Sequence, residues 1–161
     1  MANTHVMIRT DNMAGTTQGK YLVSLRVAAE IDNGLVVAVG GYEDGAREVR
    51  TYTTPAVNTD LGKIAILASE EVDKERAFNA VGEFTNKKGS IARGYFLEHG
   101  DIFSVTEGAF DKKPTVGSIV ELQAGNKLKV VSAATSGSTT VGTCDAIETD
   151  GATTWYVIRV A

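Results

Sequence analysis

The feature that most constrains this chain is a repeated alternation between short apolar runs and turns that contain glycine. The runs are four to six residues long, as at residues 64–67 and 155–160. The chain has 17 glycines and only 2 prolines among its 161 residues, a usage that suits many tight turns between strands. The sequence therefore predicts a mainly β protein, folded as a small β-barrel or a sandwich.

Asn33 and Gly34 separate two strand-like runs, residues 21–31 and 35–39. An Asn-Gly pair is a strong hairpin signal because both residues tolerate a positive φ. We therefore expect the two runs to pair with each other as neighbouring antiparallel strands.

A second hairpin is predicted around Gly125 and Asn126, between residues 119–122 and 127–130. Successive side chains of a strand point to opposite faces, so apolar and charged side chains separate onto the two faces of this hairpin. The apolar face carries Val120, Leu122, Leu128 and Val130, and the charged face carries Glu121, Lys127 and Lys129.

The remaining strands follow the same pattern of short apolar or alternating runs. They are predicted at residues 48–53, 64–67, 95–97, 102–106 and 155–160, with a turn at 98–101 and a polar loop at 132–140. One short helix is predicted near residues 69–79. Acidic residues begin that segment and Arg76 lies near its end, an order that matches the helix dipole.

These elements divide the chain into three parts. Residues 1–20 show no sustained period and are interpreted as an extended N-terminal arm. Residues 21–92 are expected to form a β-rich lobe with the short helix, and residues 93–161 a small β-barrel lobe. One continuous domain is the alternative, since a chain of this length suits either arrangement.

Charge and cysteine usage limit the partners and the compartment. The formal net charge is −4 and the acidic residues are spread along the chain, whereas nucleic-acid binding normally needs clustered Lys and Arg. Cys144 has no second cysteine with which to form an internal disulfide. The N-terminus lacks the apolar core of a signal peptide, and the longest apolar run, residues 35–39, is far shorter than the ~20 residues that span a bilayer. We expect synthesis in the cytoplasm and neither a nucleic acid nor a membrane as partner.

No constellation in the sequence predicts catalysis, a metal or a cofactor, so an enzyme is not expected. Cys144 has no cation beside it in sequence that would activate the thiol, and His99 has no second histidine nearby to complete a transition-metal site. Residues 40–47 approach the glycine spacing of a phosphate loop but lack its Lys-Ser/Thr end. The carboxylates of the predicted helix are interpreted as a solvent-exposed face.

Residues 47–56, 66–79, 82–106, 116–131 and 155–160 carry a resemblance to a known family. They are similar to small head proteins of tailed bacteriophages that infect Gram-positive bacteria, and they look like the capsid decoration, or cement, proteins. The most specific stretch is residues 92–106, ARGYFLEHGDIFSVT. The C-terminal part, from Val120 to Val160, also resembles the lambda-type head-decoration barrel. Lambda-type proteins are shorter, so residues 20–90 would be an additional lobe.

The resemblance implies a β-tulip-like barrel and a non-enzymatic role in the virion. It implies binding to the major capsid protein on the outer surface of the head, stabilisation of the expanded head, and a homotrimer. A trimer would contact several capsid subunits at once, so that modest individual contacts add up to a high avidity.

Two groups of residues are the candidate capsid contacts. Val6, Met7, Ile8 and Arg9 lie in the N-terminal arm and are expected to add a strand to a sheet edge of the shell, with a disordered tail as the alternative. Lys87, Lys88 and Arg93 are expected to pair with an acidic shell surface, with a solvated loop as the alternative.

Two other kinds of protein remain as alternatives. A tail-tube or baseplate protein would form hexameric rings and usually has a long extended loop, for which residues 132–140 are short. A host-surface or carbohydrate-binding module usually offers exposed aromatic residues, whereas aromatic residues are 7% of this chain and lie mostly within strand patterns.

Overall fold

A computed structural model describes residues 5–72 and 81–161, and eleven strands lie within these ranges. The strands are β1 (Ile8–Asn12), β2 (Leu22–Arg26), β3 (Val36–Tyr42), β4 (Val49–Thr53), β5 (Ile64–Leu67), β6 (Ile91–Phe96), β7 (Ile102–Val105), β8 (Ile119–Glu121), β9 (Lys129–Val131), β10 (Thr140–Asp150) and β11 (Thr153–Val160). Short 3₁₀ helices lie at Ala14–Thr16, Gly19–Tyr21, Leu61–Lys63, Val81–Glu83 and Glu107–Ala109. The predicted mainly β fold with a barrel is confirmed.

Five strands close into a barrel in the order β2-β4-β3-β5-β6, in which β6 pairs back onto β2. The β2–β4 pair is parallel and the other four pairs are antiparallel. Alternate side chains of the strands point inward, and they fill the interior with small and medium-sized apolar groups. These are Val23, Leu25, Val27, Val37, Ala65, Leu67 and Ala92.

The other six strands form an antiparallel sheet in the order β1-β7-β11-β10-β8-β9. Its two central strands, β10 and β11, form the longest hairpin of the described chain, with Gly142 paired to Val160 at one end and Asp150 paired to Thr153 at the other. The inner face of this sheet carries Phe103, Tyr156 and Ile158, which are fully buried.

Strand β5 and the first part of β3 join the barrel to the sheet because both of their faces are buried. In β5, Ala65 and Leu67 point into the barrel, whereas Ile64 and Ile66 belong to the larger core shared with the six-stranded sheet. The backbone of β3 is also bonded across the junction, since the Asn126 side chain donates to the Val36 carbonyl at 2.8 Å. The molecule therefore has one core inside the barrel and a second between the barrel and the sheet.

The predicted Asn33-Gly34 hairpin is wrong. Gly34 does adopt a positive φ of 80° in a turn, but β2 pairs with β4 and β6, and β3 pairs with β4 and β5. The physical reason lies in Asn33, whose buried side chain bonds both backbone groups of Ser69 and so directs the turn across the barrel instead of back along β2.

The hairpin predicted around Gly125 and Asn126 is confirmed, with Val120 paired to Val130. Its apolar face is buried as expected. Glu121 differs from the exposed charge that its alternate position suggests, because it is fully buried. The loop at residues 132–140 passes over it, and the Thr135 amide donates to its Oε1 atom.

The turn at residues 98–101 is present, with Gly100 at a φ of 88°, but it connects two layers. β6 before it belongs to the barrel and β7 after it belongs to the open sheet. The closed barrel thus lies within residues 22–96, and the C-terminal half, for which the sequence predicts a small barrel, forms most of the open sheet.

Residues 69–72 lie in no helix or strand, and the rest of the predicted helix falls outside the described residues. Residues 5–20, interpreted as an extended arm, instead form β1 and two 3₁₀ helices. Their apolar side chains explain the difference, since Val6, Met7, Ile8 and Met13 are all buried. Among the helices of the described ranges, none has the length and apolarity needed to cross a bilayer.

Candidate functional site

The N-terminal candidates Val6, Met7 and Ile8 are covered by the chain itself, with 8%, 5% and 8% of their surface exposed. The Met7 amide donates to the Thr106 hydroxyl and the Met7 carbonyl accepts from the Thr106 amide, at 3.1 and 3.2 Å. The strand expected to join a sheet of another protein thus joins the chain's own sheet. Contact of these residues with a shell stays a prediction.

Arg9, the fourth N-terminal candidate, lies on the outer face of the six-stranded sheet. Its guanidinium stacks over the Trp155 ring at 4.5 Å from the ring centroid and contacts Glu148 at 2.6 Å. Asp11 is also nearby, at 3.7 Å. Arg9 therefore links β1 to the β10–β11 hairpin across the strand that separates them.

The basic candidates Lys87, Lys88 and Arg93 lie on the part of the barrel where β2 pairs with β6. Arg93 is exposed on β6 opposite Ser24 of β2. Lys87 and Lys88 are exposed in the turn that leads into β6. We call this surface, residues 87–93 with the adjoining part of β2, the basic face.

An ion pair orders the basic face. The Arg26 guanidinium donates to both carboxylate oxygens of Glu43, at 2.9 and 3.1 Å, and also to the Gly89 carbonyl at 2.9 Å. The hydrogen bond from Arg26 holds the pKa of Glu43 below its ordinary value. Ile91 projects from the same face with 53% of its surface exposed. The basic face thus combines one ordered ion pair with three exposed basic residues and one exposed aliphatic side chain.

The β10–β11 hairpin extends beyond its neighbours as a two-stranded ribbon, residues 145–155. On one side, the last contacts with β8 and its preceding turn are at Thr143 and Cys144. On the other side, β7 ends at Val105, which pairs with Tyr156. Gly151 turns the ribbon with a φ of 59°. Sequence reasoning missed β10, because residues 140–144 are polar or small except for Val141. One signal for a hairpin existed, namely the Asp-Gly pair at residues 150–151 shortly before the predicted strand 155–160.

A cleft of about 440 Å³ opens where the barrel meets the sheet, lined by polar residues such as Glu30, Asp32 and Asn126 and by apolar ones such as Ile31 and Leu35. Asp32 is already engaged by His5, whose Nδ1 lies 2.8 Å away, and by the Val6 amide. Asn126 is bonded to Val36. Two of the cleft's polar groups, Asp32 and Asn126, thus hold the chain together, whereas the buried Thr85 hydroxyl in its lining has no hydrogen-bond partner among the described residues.

Cys144 and His99 lie apart in different surroundings. Cys144 is buried, and burial together with the neighbouring Asp145 raises the pKa of its thiol, the reverse of what a nucleophilic cysteine needs. His99 is exposed in its turn, where the Asp101 carboxylate accepts from the amides of Ala14 and Glu98. Across residues 5–72 and 81–161, no group of three potential metal ligands comes together.

The glycines that resembled a phosphate loop also have a structural place. Gly40 and Gly41 lie inside β3, at an irregularity of its pairing with β4 between Val39 and Tyr42. A strand and not a helix surrounds them, so the helix N-terminus that would bind a phosphate is not part of this segment.

Comparison with known proteins adds no relative to these observations. No family model matches the chain, no curated protein matches it, and no solved structure matches it.

Proposed function

We propose that this chain is a non-enzymatic structural protein of a phage virion that binds the outer surface of the capsid and stabilises the expanded head. Its partner is the major capsid protein, and its working form is a homotrimer on the head, after synthesis in the cytoplasm of the host bacterium. The sequence resemblance described above is the origin of the proposal.

The observation that carries the proposal furthest is the basic face on an otherwise acidic protein. Lys87, Lys88 and Arg93 are exposed around Ile91, while the chain as a whole has a net charge of −4. A local patch of opposite sign on a rigid barrel is suited to orient the protein on an acidic partner surface. The two packed cores support the same role, because a decoration protein needs a stable scaffold and no active site.

Binding to purified, undecorated expanded capsids tests the proposal directly. Wild-type protein is expected to occupy the capsid surface at regular positions in electron micrographs. Occupancy should fall as salt is raised, since exposed charge pairs are screened. Capsids that stay bare at low salt would overturn the proposal.

Charge reversal tests the basic face itself. The triple variant Lys87→Glu, Lys88→Glu, Arg93→Glu is expected to weaken capsid binding by about tenfold or more, which corresponds to roughly 1.4 kcal/mol or more. The matched control reverses three exposed lysines elsewhere, Lys20, Lys63 and Lys127, and introduces the same change in net charge. Equal losses in the two variants would indicate a nonspecific charge effect and contradict a role for this face.

Solution mass tests the oligomer. A homotrimer has three times the 17.0 kDa of one chain, which sedimentation or light scattering distinguishes from a monomer. Hexameric rings would instead favour a tail-tube protein.

A further inference from the structure

Within residues 5–72 and 81–161, one side of β10 has no neighbouring strand along the ribbon. β8 and the two residues before it accompany β10 only as far as Cys144, whose carbonyl accepts from the Gly117 amide at 2.8 Å. The chain before that point is held in a tight turn in which the Ser118 amide donates to the Thr115 carbonyl and the Thr115 amide to the Ser118 hydroxyl. This turn directs the chain away and leaves residues 145–150 as an uncovered edge within the described structure.

The register of the ribbon shows which backbone groups face this edge. Ala146, Glu148 and Asp150 lie opposite Val157, Trp155 and Thr153 of β11. A two-residue turn makes the flanking pair, Asp150 and Thr153, a hydrogen-bonded pair, and such pairs alternate along an antiparallel ladder. Ile147 and Thr149 therefore direct their N–H and C=O groups outward, to the uncovered edge.

Edges of this kind are templates for another strand unless charged side chains, proline or a bulge block them. Residues 145–150 contain no proline, and their three charges are all acidic, so they repel acidic strands and not basic ones. The irregularity of the β10–β11 pairing falls at their start, between Cys144 and Ala146. Two exposed aliphatic side chains adjoin the edge: Ile147, 39% exposed, lies on it, and Val116, 64% exposed, precedes Gly117 at its beginning. The edge thus offers both backbone groups and apolar surface.

The charge around the edge favours a basic partner. Three carboxylates lie on the ribbon strand β10, against two guanidinium groups that are already paired with two of them. The carboxylates are Asp145, Glu148 and Asp150, and the guanidinium groups are those of Arg159 and Arg9. A second copy of the same edge is disfavoured in the register that pairs Ile147 with Thr149 of the copy, because this register sets Glu148 opposite its own counterpart.

We propose that the uncovered edge of β10 binds an extended segment of the shell protein as an added strand, in which Lys or Arg alternates with apolar residues. The alternation follows from the pleat of a β-strand. Apolar side chains of the segment meet Ile147 on one face, and basic side chains meet Glu148 and Asp150 on the other. The source of the segment rests on the proposed function, whereas the chemistry of the edge does not.

Two proline variants at paired positions test the proposal. Thr149 and Thr154 lie opposite each other in the ribbon. The N–H of Thr149 faces the uncovered edge. The N–H of Thr154 points to the other side of the ribbon, on which β7 pairs with β11 farther along. Every second residue of β11 from Thr154 to Val160 points its N–H to the β7 side, and at Thr154 β7 has already ended. Thr149→Pro and Thr154→Pro each remove one outward donor, a change that edge strands tolerate, and unchanged far-ultraviolet circular dichroism confirms that each variant is folded.

Thr149→Pro is expected to bind undecorated expanded capsids at least tenfold more weakly than Thr154→Pro, which should bind like wild type. Equal binding by all three proteins would overturn the edge proposal and leave the proposed function intact. If the wild type itself fails to bind, the proposed function fails, and a peptide then decides the edge proposal.

The peptide is an octapeptide of alternating lysine and valine, with alternating glutamate and valine as its matched control. Binding at the edge should slow amide hydrogen exchange at Ile147 and Thr149 by about tenfold or more with the lysine peptide only. Unchanged exchange at both amides in a protein that does not bind capsids would overturn the proposal. Equal slowing by both peptides would overturn the proposal that the bound segment carries basic residues.

Discussion

At the scale of single residues, Gly142 shows how closely β10 and β11 approach each other. A Cβ atom at this position would lie 2.1 Å from the Arg159 carbonyl oxygen, and that oxygen belongs to the backbone of a paired strand. Neither strand can shift without disturbing the pairing of Gly142 with Val160. The requirement for glycine here is therefore one of space and not of φ.

Gly142→Ala is expected to lower the free energy of unfolding by about 2–3 kcal/mol, as for other overpacked sites. Gly41→Ala is the matched control, since a Cβ atom at residue 41 would meet nothing within 4 Å beyond its chain neighbours. Urea titration of both variants measures the difference. A loss at Gly142 no larger than that at Gly41 would show that the two strands can separate at little cost.

Cys144 gives a pH dependence whose sign follows from its surroundings. Burial and the Asp145 charge raise the pKa of the thiol above its ordinary value of 9.0, so the folded state holds this proton to a higher pH than the unfolded chain does. The stabilisation is complete below pH 9 and is lost as the pH rises through the folded-state pKa. The pKa of Tyr156 shifts in the same direction, mainly through burial.

Urea midpoints measured at pH 7, 9 and 10.5 should therefore fall, and Cys144→Ala should reduce the fall while leaving part of it to Tyr156. The comparison uses the slope against pH, because the substitution also leaves a small cavity that lowers stability at every pH. If the urea midpoint falls with pH equally steeply in the wild type and in Cys144→Ala, the assignment of this pH dependence to Cys144 is wrong.

At the scale of elements, a buried network of amide side chains ties together three connections of the barrel. Asn33 donates to the Ser69 carbonyl at 2.9 Å and accepts from the Ser69 amide at 3.0 Å. Asn86 donates to the Asn33 side chain and to the Ile31 carbonyl, both at 3.0 Å. The network fixes the path into β3, out of β5 and into β6.

Asn33→Ala is expected to cost about 2–3 kcal/mol of stability, because it leaves the partly buried Ser69 backbone groups and the buried Asn86 amide without their partner. Asn58→Ala, at an exposed position, is the control and should change stability by less than about 0.5 kcal/mol. Thermal unfolding of both proteins measures the two effects. A small effect at Asn33 would mean that water replaces the lost bonds.

The same elements show what the sequence could and could not predict. β5 and β11 were predictable because compact apolar runs report burial whatever the topology. The pairing of β2 was not predictable, because an Asn-Gly pair favours a turn with positive φ whether or not the two strands beside it pair with each other. The outcome depended on the Asn33 side chain meeting Ser69 and Asn86, contacts 36 and 53 residues away. The basic candidates could be named from sequence, whereas the uncovered edge of β10 could not, since it exists only because β8 is short.

At the scale of the whole molecule, β3 and β5 make the two cores interdependent. A strand with one face in each core cannot leave one without exposing the other, as the alternation of Ile66 and Leu67 shows. We therefore expect the barrel and the sheet to unfold together in one cooperative transition, as a single continuous domain does.

Leu67→Ala removes a fully buried side chain from inside the barrel and is expected to cost about 2–5 kcal/mol. Trp155, the only tryptophan, reports on the sheet by fluorescence. In Leu67→Ala, the urea midpoint measured by Trp155 fluorescence should fall by the same amount as the midpoint measured by circular dichroism, with protein concentration held constant. Val57→Ala, at a site 44% exposed, should shift neither. A fluorescence midpoint that stays in place would contradict coupled unfolding.

The position of β7 between β1 and β11 has a mechanical consequence. Both neighbours run antiparallel to β7, so the start of β1 lies level with Val105 and the end of β11 level with residue 101. A tensile force applied between the start of β1 and the end of β11 would act along the strands, perpendicular to their hydrogen bonds. The hydrogen bonds of both ladders would then be loaded in shear at the same time, instead of breaking one after another.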